Sequence, residues 1–150
     1  MRTIGLDPGK TTGWAVMADG WLESCGQVEG IEAVIGVLDA IQPDVVVSEG
    51  FRLYPWKKPG FERIWSAEIQ GAVMSWCNAH RVQYVEQPAA MRGVADPIIR
   101  AMKRQQKIKC KAHALDALRH AVTYLWRYHP NLLTPVVRQY GEVVGLVGEV

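Results

Sequence analysis

The sequence has 150 residues, which is the size of one domain with a buried core. Hydrophobic residues make up 49% and charged residues 21%, a composition that excludes a disordered chain. No apolar run approaches the ~20 residues that span a bilayer, and the first ten residues contain Asp and Pro where a secretory signal is apolar. The three cysteines lack metal-ligand spacing, so we expect a cytoplasmic protein with reduced thiols and no membrane segment.

The net charge is only +2, but the charges are unevenly distributed. Residues 11–50 contain seven acidic residues and no Lys or Arg, whereas residues 100–111 contain six basic residues and no acid. This separation predicts a polyanionic partner that meets one face of the protein. The alternative is that the basic stretch is simply a solvated helix face.

The first part of the chain predicts three strands and a helix. Strands are expected at residues 2–6, 12–17 and 21–28, because turn residues separate these apolar runs. Asp19-Gly20 lies between the second and third runs and predicts a two-residue hairpin turn. Apolar residues at helical spacing predict a helix over residues 30–41.

The second part predicts alternating strands and helices. The apolar, β-branched run at residues 45–47 is typical of a buried parallel strand. A helix is expected at 62–80, a strand at 82–85, a short basic helix at 97–106 and a longer helix at 112–128. This order of elements predicts a mixed α/β sheet covered by helices.

Four residues stand where metal chemistry is possible: Asp7, Glu49, His113 and Asp116. Asp7 and Glu49 end neighbouring predicted strands, and His113 and Asp116 lie three apart on one helix face. Three carboxylates and an imidazole in one crevice would hold one or two hard divalent cations, as in in-line phosphoryl chemistry. Each residue also has a structural interpretation, as a turn Asp, a solvated Glu or an exposed helix pair.

The first motif, GLDPGKT, resembles two nucleotide-binding patterns. Only three residues separate Gly5 from Gly9, whereas the phosphate-binding P-loop needs four, so the P-loop is excluded. The motif also resembles the first phosphate-binding hairpin of the actin, sugar-kinase and heat-shock-ATPase fold. That fold closes two lobes on a nucleotide and this chain has room for one, so it remains a distant alternative.

Three segments together resemble the RuvC family of Holliday junction resolvases, in the RNase H-like superfamily. They are IGLDPGKTTGWAV, VVVSEGF and HALDALRHAVTY, and the resemblance covers about residues 2–128 in the family's order. It implies an RNase H-like α/β fold with a five-stranded mixed sheet, antiparallel in its first three strands and then parallel, flanked by helices. The nuclease domain is then expected at 1–130, with a tail of unknown structure at 131–150. The short interval between Asp7 and Glu49 would suit a compact, phage-type member.

The resemblance also implies a function. Asp7, Glu49, His113 and Asp116 would be the catalytic, metal-binding residues, holding two Mg²⁺ or Mn²⁺ ions; many members have Asp where His113 stands. The protein would be a homodimer that resolves four-way DNA junctions by paired nicks in opposed strands. Alternatives are a related nuclease that cuts other branched DNA or RNA–DNA hybrids, and a junction-binding protein without catalytic activity.

DNA contacts are expected from the aromatic, basic loop at residues 50–61 and from basic residues before His113. The expected DNA-binding residues are Phe51, Arg52, Tyr54, Lys57, Lys58, Arg92, Arg100, Lys103, Arg104, Lys107, Lys109 and Lys111. The resemblance implies an aromatic wedge a few residues beyond Glu49, which leaves Phe51 and Tyr54 as alternatives. His120 is interpreted as a surface or supporting histidine rather than a ligand. The apolar stripe of the 62–80 helix is interpreted as core, with one edge available to a second subunit.

Overall fold

The computed structural model describes residues 1–51 and 64–133, which form one sheet with helices on both sides. The strands are β1 (Arg2–Asp7), β2 (Thr11–Ala18), β3 (Trp21–Glu29), β4 (Val45–Glu49) and β5 (Gln83–Gln87). The helices are α1 (Ile31–Ile41), α2 (Trp65–His80), α3 (Asp96–Gln105) and α4 (Ala112–Tyr128). Short 3₁₀ turns span Ala89–Val94 and Pro130–Leu133.

The five strands follow the order β3-β2-β1-β4-β5 across the sheet. β1, β2 and β3 are antiparallel neighbours, whereas β4 runs parallel to β1 and β5 runs parallel to β4. Asp19 and Gly20 have φ angles of 52° and 81°, and two positive φ values are what a type I′ hairpin requires. The predicted α/β fold, with a mixed sheet that is first antiparallel and then parallel, is confirmed.

The apolar run of β4 lies between two hydrophobic cores. Val46 joins Ile4 and Leu6 in the core beneath α1 and α2. Val45 and Val47 belong to the opposite core, beneath α3 and α4. Because successive side chains of a strand point to opposite faces, a continuous apolar run needs cover on both sides, and β4 has it.

Two glycines bring α4 unusually close to the sheet. A Cβ atom at Gly5 of β1 would lie 1.9 Å from the carbonyl oxygen of Ala117, and one at Gly13 of β2 would lie 2.0 Å from that of His113. Any other residue at either position would collide with helix backbone. The backbone of α4 therefore rests directly on β1 and β2, which fixes where the side chains of its first turns lie.

Several boundaries differ from the predicted ones. β5 continues to Gln87, because Gln87 pairs with Glu49 at the end of β4. The turn Ala89–Val94 was not predicted, since it has no apolar periodicity. Leu133 is fully buried in the core beneath α4, so the described start of segment 131–150 packs on the domain. Within residues 1–51 and 64–133, no helix combines the length and apolar character needed to cross a membrane.

Replacing Gly13 with Ala is expected to lower the free energy of unfolding by about 1–3 kcal/mol, because the added methyl group meets backbone that moves only if α4 moves. Gly36→Ala is the matched control, since Gly36 is exposed on α1 and a Cβ there meets nothing within 4 Å. The control is expected to gain roughly 0.5–1 kcal/mol from helix propensity. Urea unfolding measures both, and an unchanged midpoint for Gly13→Ala would contradict the close approach of α4.

Candidate active site

Three carboxylates lie near one another at the edge of the sheet where β1 and β4 end. Asp7 ends β1 and Glu49 ends β4, and the register that pairs Leu6 with Ser48 places the two acids side by side. α4 crosses this edge and adds Asp116 together with His113. The negative charges of Glu49 and Asp116 both act on the Asp7 carboxyl. The structure therefore gathers the four residues that the sequence singles out.

Asp7 is held by the first turn of α4. The Nδ1 of His113 donates a hydrogen bond to Asp7 Oδ2 over 2.8 Å, and the backbone N–H of His113 donates to Gln27 of β3 over 3.0 Å. Burial raises the pKa of the Asp7 carboxyl, the hydrogen bond from His113 opposes that change, and the charges of Glu49 and Asp116 raise the pKa further. The crevice therefore disfavours a further negative charge and favours a cation.

Glu49 is held by a buried histidine. The Nε2 of His120 donates to Glu49 Oε2 over 3.0 Å, and its Nδ1 lies 2.9 Å from the Oε1 of Gln87. His120 has no exposed surface, so its interpretation as a surface residue is wrong, whereas the supporting role is consistent with these contacts. Its enclosure follows from its place on the face of α4 that packs against the sheet.

Asp116 pairs with Arg119, a residue that was not predicted from the sequence to belong to the site. The guanidinium of Arg119 donates to Asp116 over 2.6 Å and to Asp96 of α3 over 2.6 Å. The hydrogen bond to Asp96 raises the pKa of Arg119, burial opposes that change, and the bond to Asp116 raises the pKa again. The i, i+3 spacing of Asp116 and Arg119 on one helix was the available sequence signal.

Two observations bear on whether these residues could hold a metal ion. Within the described parts of the chain, no three His, Cys, Asp or Glu side chains converge closely enough to hold an ion. However, the donor set is one that hard divalent cations prefer, and two of its carboxylates raise the pKa of the third. The donor chemistry therefore fits a divalent cation, while the side chains do not converge on one point in this structure.

A cleft of about 380 Å³ opens beside Glu49. Its walls come from the turn after β1, the end of β4, the start of α2 and the turn after β5: Pro8, Glu49, Gly50, Phe51, Ser66, Pro88, Ala89 and Ala90. The hydroxyl of Ser66 donates to the carbonyl of Pro8 over 2.9 Å, which joins two of these walls. Phe51, one of the two aromatic residues considered as a wedge, lines this cleft with Glu49 and is 36% exposed.

The remaining predicted DNA-binding residues divide into three sets. Arg52, Tyr54, Lys57 and Lys58 lie outside the described residues. Arg92 belongs to the turn Ala89–Val94, beside the cleft.

The third set is the basic stretch formed by α3 and by the segment between α3 and α4. All six of its side chains are exposed: Arg100, Lys103, Arg104, Lys107, Lys109 and Lys111. α3 buries Ile98, Ile99 and Met102, so its basic residues face outward. The side-chain amide of Gln106 exchanges two hydrogen bonds with the backbone of Leu22, which fixes the segment to β3. The basic surface therefore leads directly to His113.

Comparisons with known proteins agree with this architecture. No protein-family model and no curated protein sequence matches the chain. Among solved structures, RuvC of Thermus thermophilus superimposes with a TM-score of 0.67 at 18% identity, over 88% of this chain and 98% of that one. The T. thermophilus RuvC in complex with a Holliday junction substrate gives 0.67 at 20% identity, over 86% and 97%. The fowlpox virus Holliday junction resolvase gives 0.55 at 16% identity, over 87% and 99%.

The chain therefore has the α/β fold of these structures. More narrowly, that fold is RuvC-like, and the resemblance seen in the three sequence segments is confirmed at the level of the fold.

Proposed function

We propose that this chain is a metal-dependent, structure-selective endodeoxyribonuclease that resolves four-way DNA junctions. The observation that carries this proposal is the gathering of Asp7, Glu49 and Asp116 beneath α4, on a RuvC-like resolvase fold. A structural neighbour that was solved with a Holliday junction substrate supports the choice of DNA partner. The reaction class is phosphodiester hydrolysis, as in a crossover junction endodeoxyribonuclease.

The electrostatics of the crevice favour an enzyme that uses divalent cations. Carboxylates that face a DNA backbone repel it unless cations lie between them. Asp7, Glu49 and Asp116, with His113, would hold two Mg²⁺ or Mn²⁺ ions. Bound there, such ions supply an activated water for in-line attack and stabilise the leaving 3′-oxygen.

The chain's own residues would bind and orient the junction. The exposed basic residues of α3 and of the segment before α4 would contact phosphates on the approach to His113. Phe51, beside Glu49 at the cleft, would pack against a base near the branch point. In this arrangement the phosphates next to the branch would lie over the carboxylates, which is the proposed basis of selectivity for branched DNA.

A second candidate is a junction-binding protein without catalytic activity. The pairing of each carboxylate with a residue of α4, and the lack of a converged metal site among the described residues, favour this alternative. It shares the basic surface with the enzyme, so binding alone does not separate the two. Cleavage does.

A homodimer is part of the proposal, because a two-fold protein would place one active site on each of two opposed strands of a two-fold junction. Most of the apolar stripe of α2 is buried in the core, including Ile69, Val73 and Trp76. Met74 remains 46% exposed on the same helix. We expect the dimer contact to include this side chain.

Asp7→Asn is expected to abolish cleavage of a four-way junction in Mg²⁺, because it removes one carboxylate from the ligand set. In EDTA the variant should bind the junction at least as tightly as wild type, because one repelling charge has gone. Gel-based cleavage and binding assays measure the two effects.

Glu32→Gln removes one negative charge from the exposed face of α1 and serves as the matched control, with cleavage unchanged. If Asp7→Asn cuts as well as wild type, Asp7 is outside the active site. If it loses binding together with its folded structure, Asp7 is a structural turn residue.

Changing Lys107, Lys109 and Lys111 to Gln is expected to weaken junction binding and to flatten its salt dependence. Each lost phosphate contact should reduce the log–log slope by ~0.9. Thermal stability should hardly change, because the three side chains are exposed. Arg127→Gln, at the far end of α4, is the control and should leave the slope unchanged. A triple variant with the wild-type slope would show that this segment is only a solvated surface.

Met74→Glu is expected to convert a dimer into a folded monomer that no longer makes paired nicks, because it places a charge in an apolar contact. Sedimentation velocity gives the oligomeric state. Tyr128→Glu changes another exposed hydrophobic residue, on α4, and should leave the dimer intact. Wild-type protein that sediments as a monomer with and without junction DNA would contradict the dimer.

A further inference from the structure

His120 is a completely buried polar residue on a helix whose other buried positions are mostly apolar. Its ring has no exposed surface, and its buried neighbours along α4 include Ala117, Ala121 and Leu125. Burying an imidazole costs free energy unless both ring nitrogens find partners. Here both do, and one of the partners is Glu49.

The two hydrogen bonds of His120 join three elements. A carboxylate can only accept, so Nε2–H donates to Glu49 Oε2 at the end of β4, over 3.0 Å. The Nδ1 lies 2.9 Å from the side-chain oxygen Oε1 of Gln87 at the end of β5, and Gln87 is itself 5% exposed. Glu49 and Gln87 are register partners in the sheet. The imidazole therefore bridges the ends of two paired strands from the helix above them.

We propose that His120 is a positioning residue that fixes the orientation of the Glu49 carboxylate for cation binding. This inference rests on the proposed function, because it takes Glu49 as a ligand. Each hydrogen bond to a 23% exposed carboxylate restricts rotation about its side-chain torsions, and ordering a ligand only at the moment of binding weakens affinity. The bond from His120 restricts that rotation before the cation arrives, as partners of metal ligands commonly do.

His113 and His120 are thereby assigned different tasks, although both bind carboxylates of the same crevice. The side chain of His113 is 50% exposed and contacts Asp7 at the open edge, where a ligand must be reachable. His120 is enclosed and reaches the site only through Glu49. His113 would touch the cation, and His120 would not.

Two variants separate positioning from packing. His120→Gln retains an N–H donor at about the distance of Nε2, whereas His120→Met fills a similar volume without a donor. Isothermal titration with Mn²⁺ alone should give an affinity near the wild-type value for the His120→Gln variant. The His120→Met variant should bind Mn²⁺ roughly 10- to 100-fold more weakly. With junction DNA, His120→Met should lower kcat and raise the Mn²⁺ concentration required for half-maximal cleavage, while KM for the junction stays unchanged. Circular dichroism at the working temperature confirms that both variants are folded.

A double-mutant cycle shows whether the effect passes through Glu49. In a Glu49→Gln background the further change His120→Met should no longer weaken Mn²⁺ binding, since the bond it removes has lost its carboxylate. An undiminished effect in that background would overturn the positioning role and leave only a packing role. Equal Mn²⁺ affinities for wild type, His120→Gln and His120→Met would overturn the positioning role as well.

The outcomes distinguish this inference from the proposed function. If wild type binds Mn²⁺ with the expected order of variants but cuts no junction, positioning stands and the resolvase function fails. If wild type cuts junctions and His120→Met matches it in Mn²⁺ affinity and kcat, the function stands and positioning fails. A wild-type chain that binds no Mn²⁺ overturns both.

Discussion

The site depends on the contact between α4 and the first two strands. At Gly5 and Gly13 the sheet presents no side chains, so the backbone of α4 at Ala117 and His113 lies directly against it. This contact sets the height of α4 above the carboxyl end of β1. His113 can then reach Asp7 at 2.8 Å. A side chain at either glycine would move α4, and with it His113, away from Asp7 and Glu49.

Once seated, α4 supplies a partner for each of the three carboxylates: His113 for Asp7, Arg119 for Asp116 and His120 for Glu49. Three anions in a partly buried crevice repel one another, and these hydrogen bonds offset the repulsion. Divalent cations would offset it by another route. In the proposed enzyme, cations would add to this compensation while the bond from His120 still orients Glu49.

The order of strands and helices, and the meeting of Asp7 with Glu49, could be predicted from the sequence. Apolar runs bounded by turn residues located the strands, helical spacing located the helices, and the positions of Asp7 and Glu49 at strand ends indicated that they would meet. Arg119 and the enclosure of His120 were not predicted, because the face that a helix buries depends on how closely it approaches the sheet. That distance is set by Gly5 and Gly13, whose role becomes visible only when the helix is in place.

The most direct test of the account is to map the nicks made in a synthetic four-way junction, with a flap, a duplex and an RNA–DNA hybrid in parallel, with and without Mg²⁺ or Mn²⁺. We expect paired nicks at symmetric positions in opposed strands of the junction, only with the metal, leaving 5′-phosphate and 3′-hydroxyl ends. Tight binding of the junction without cleavage in either metal, or faster cleavage of the flap or hybrid, would contradict it.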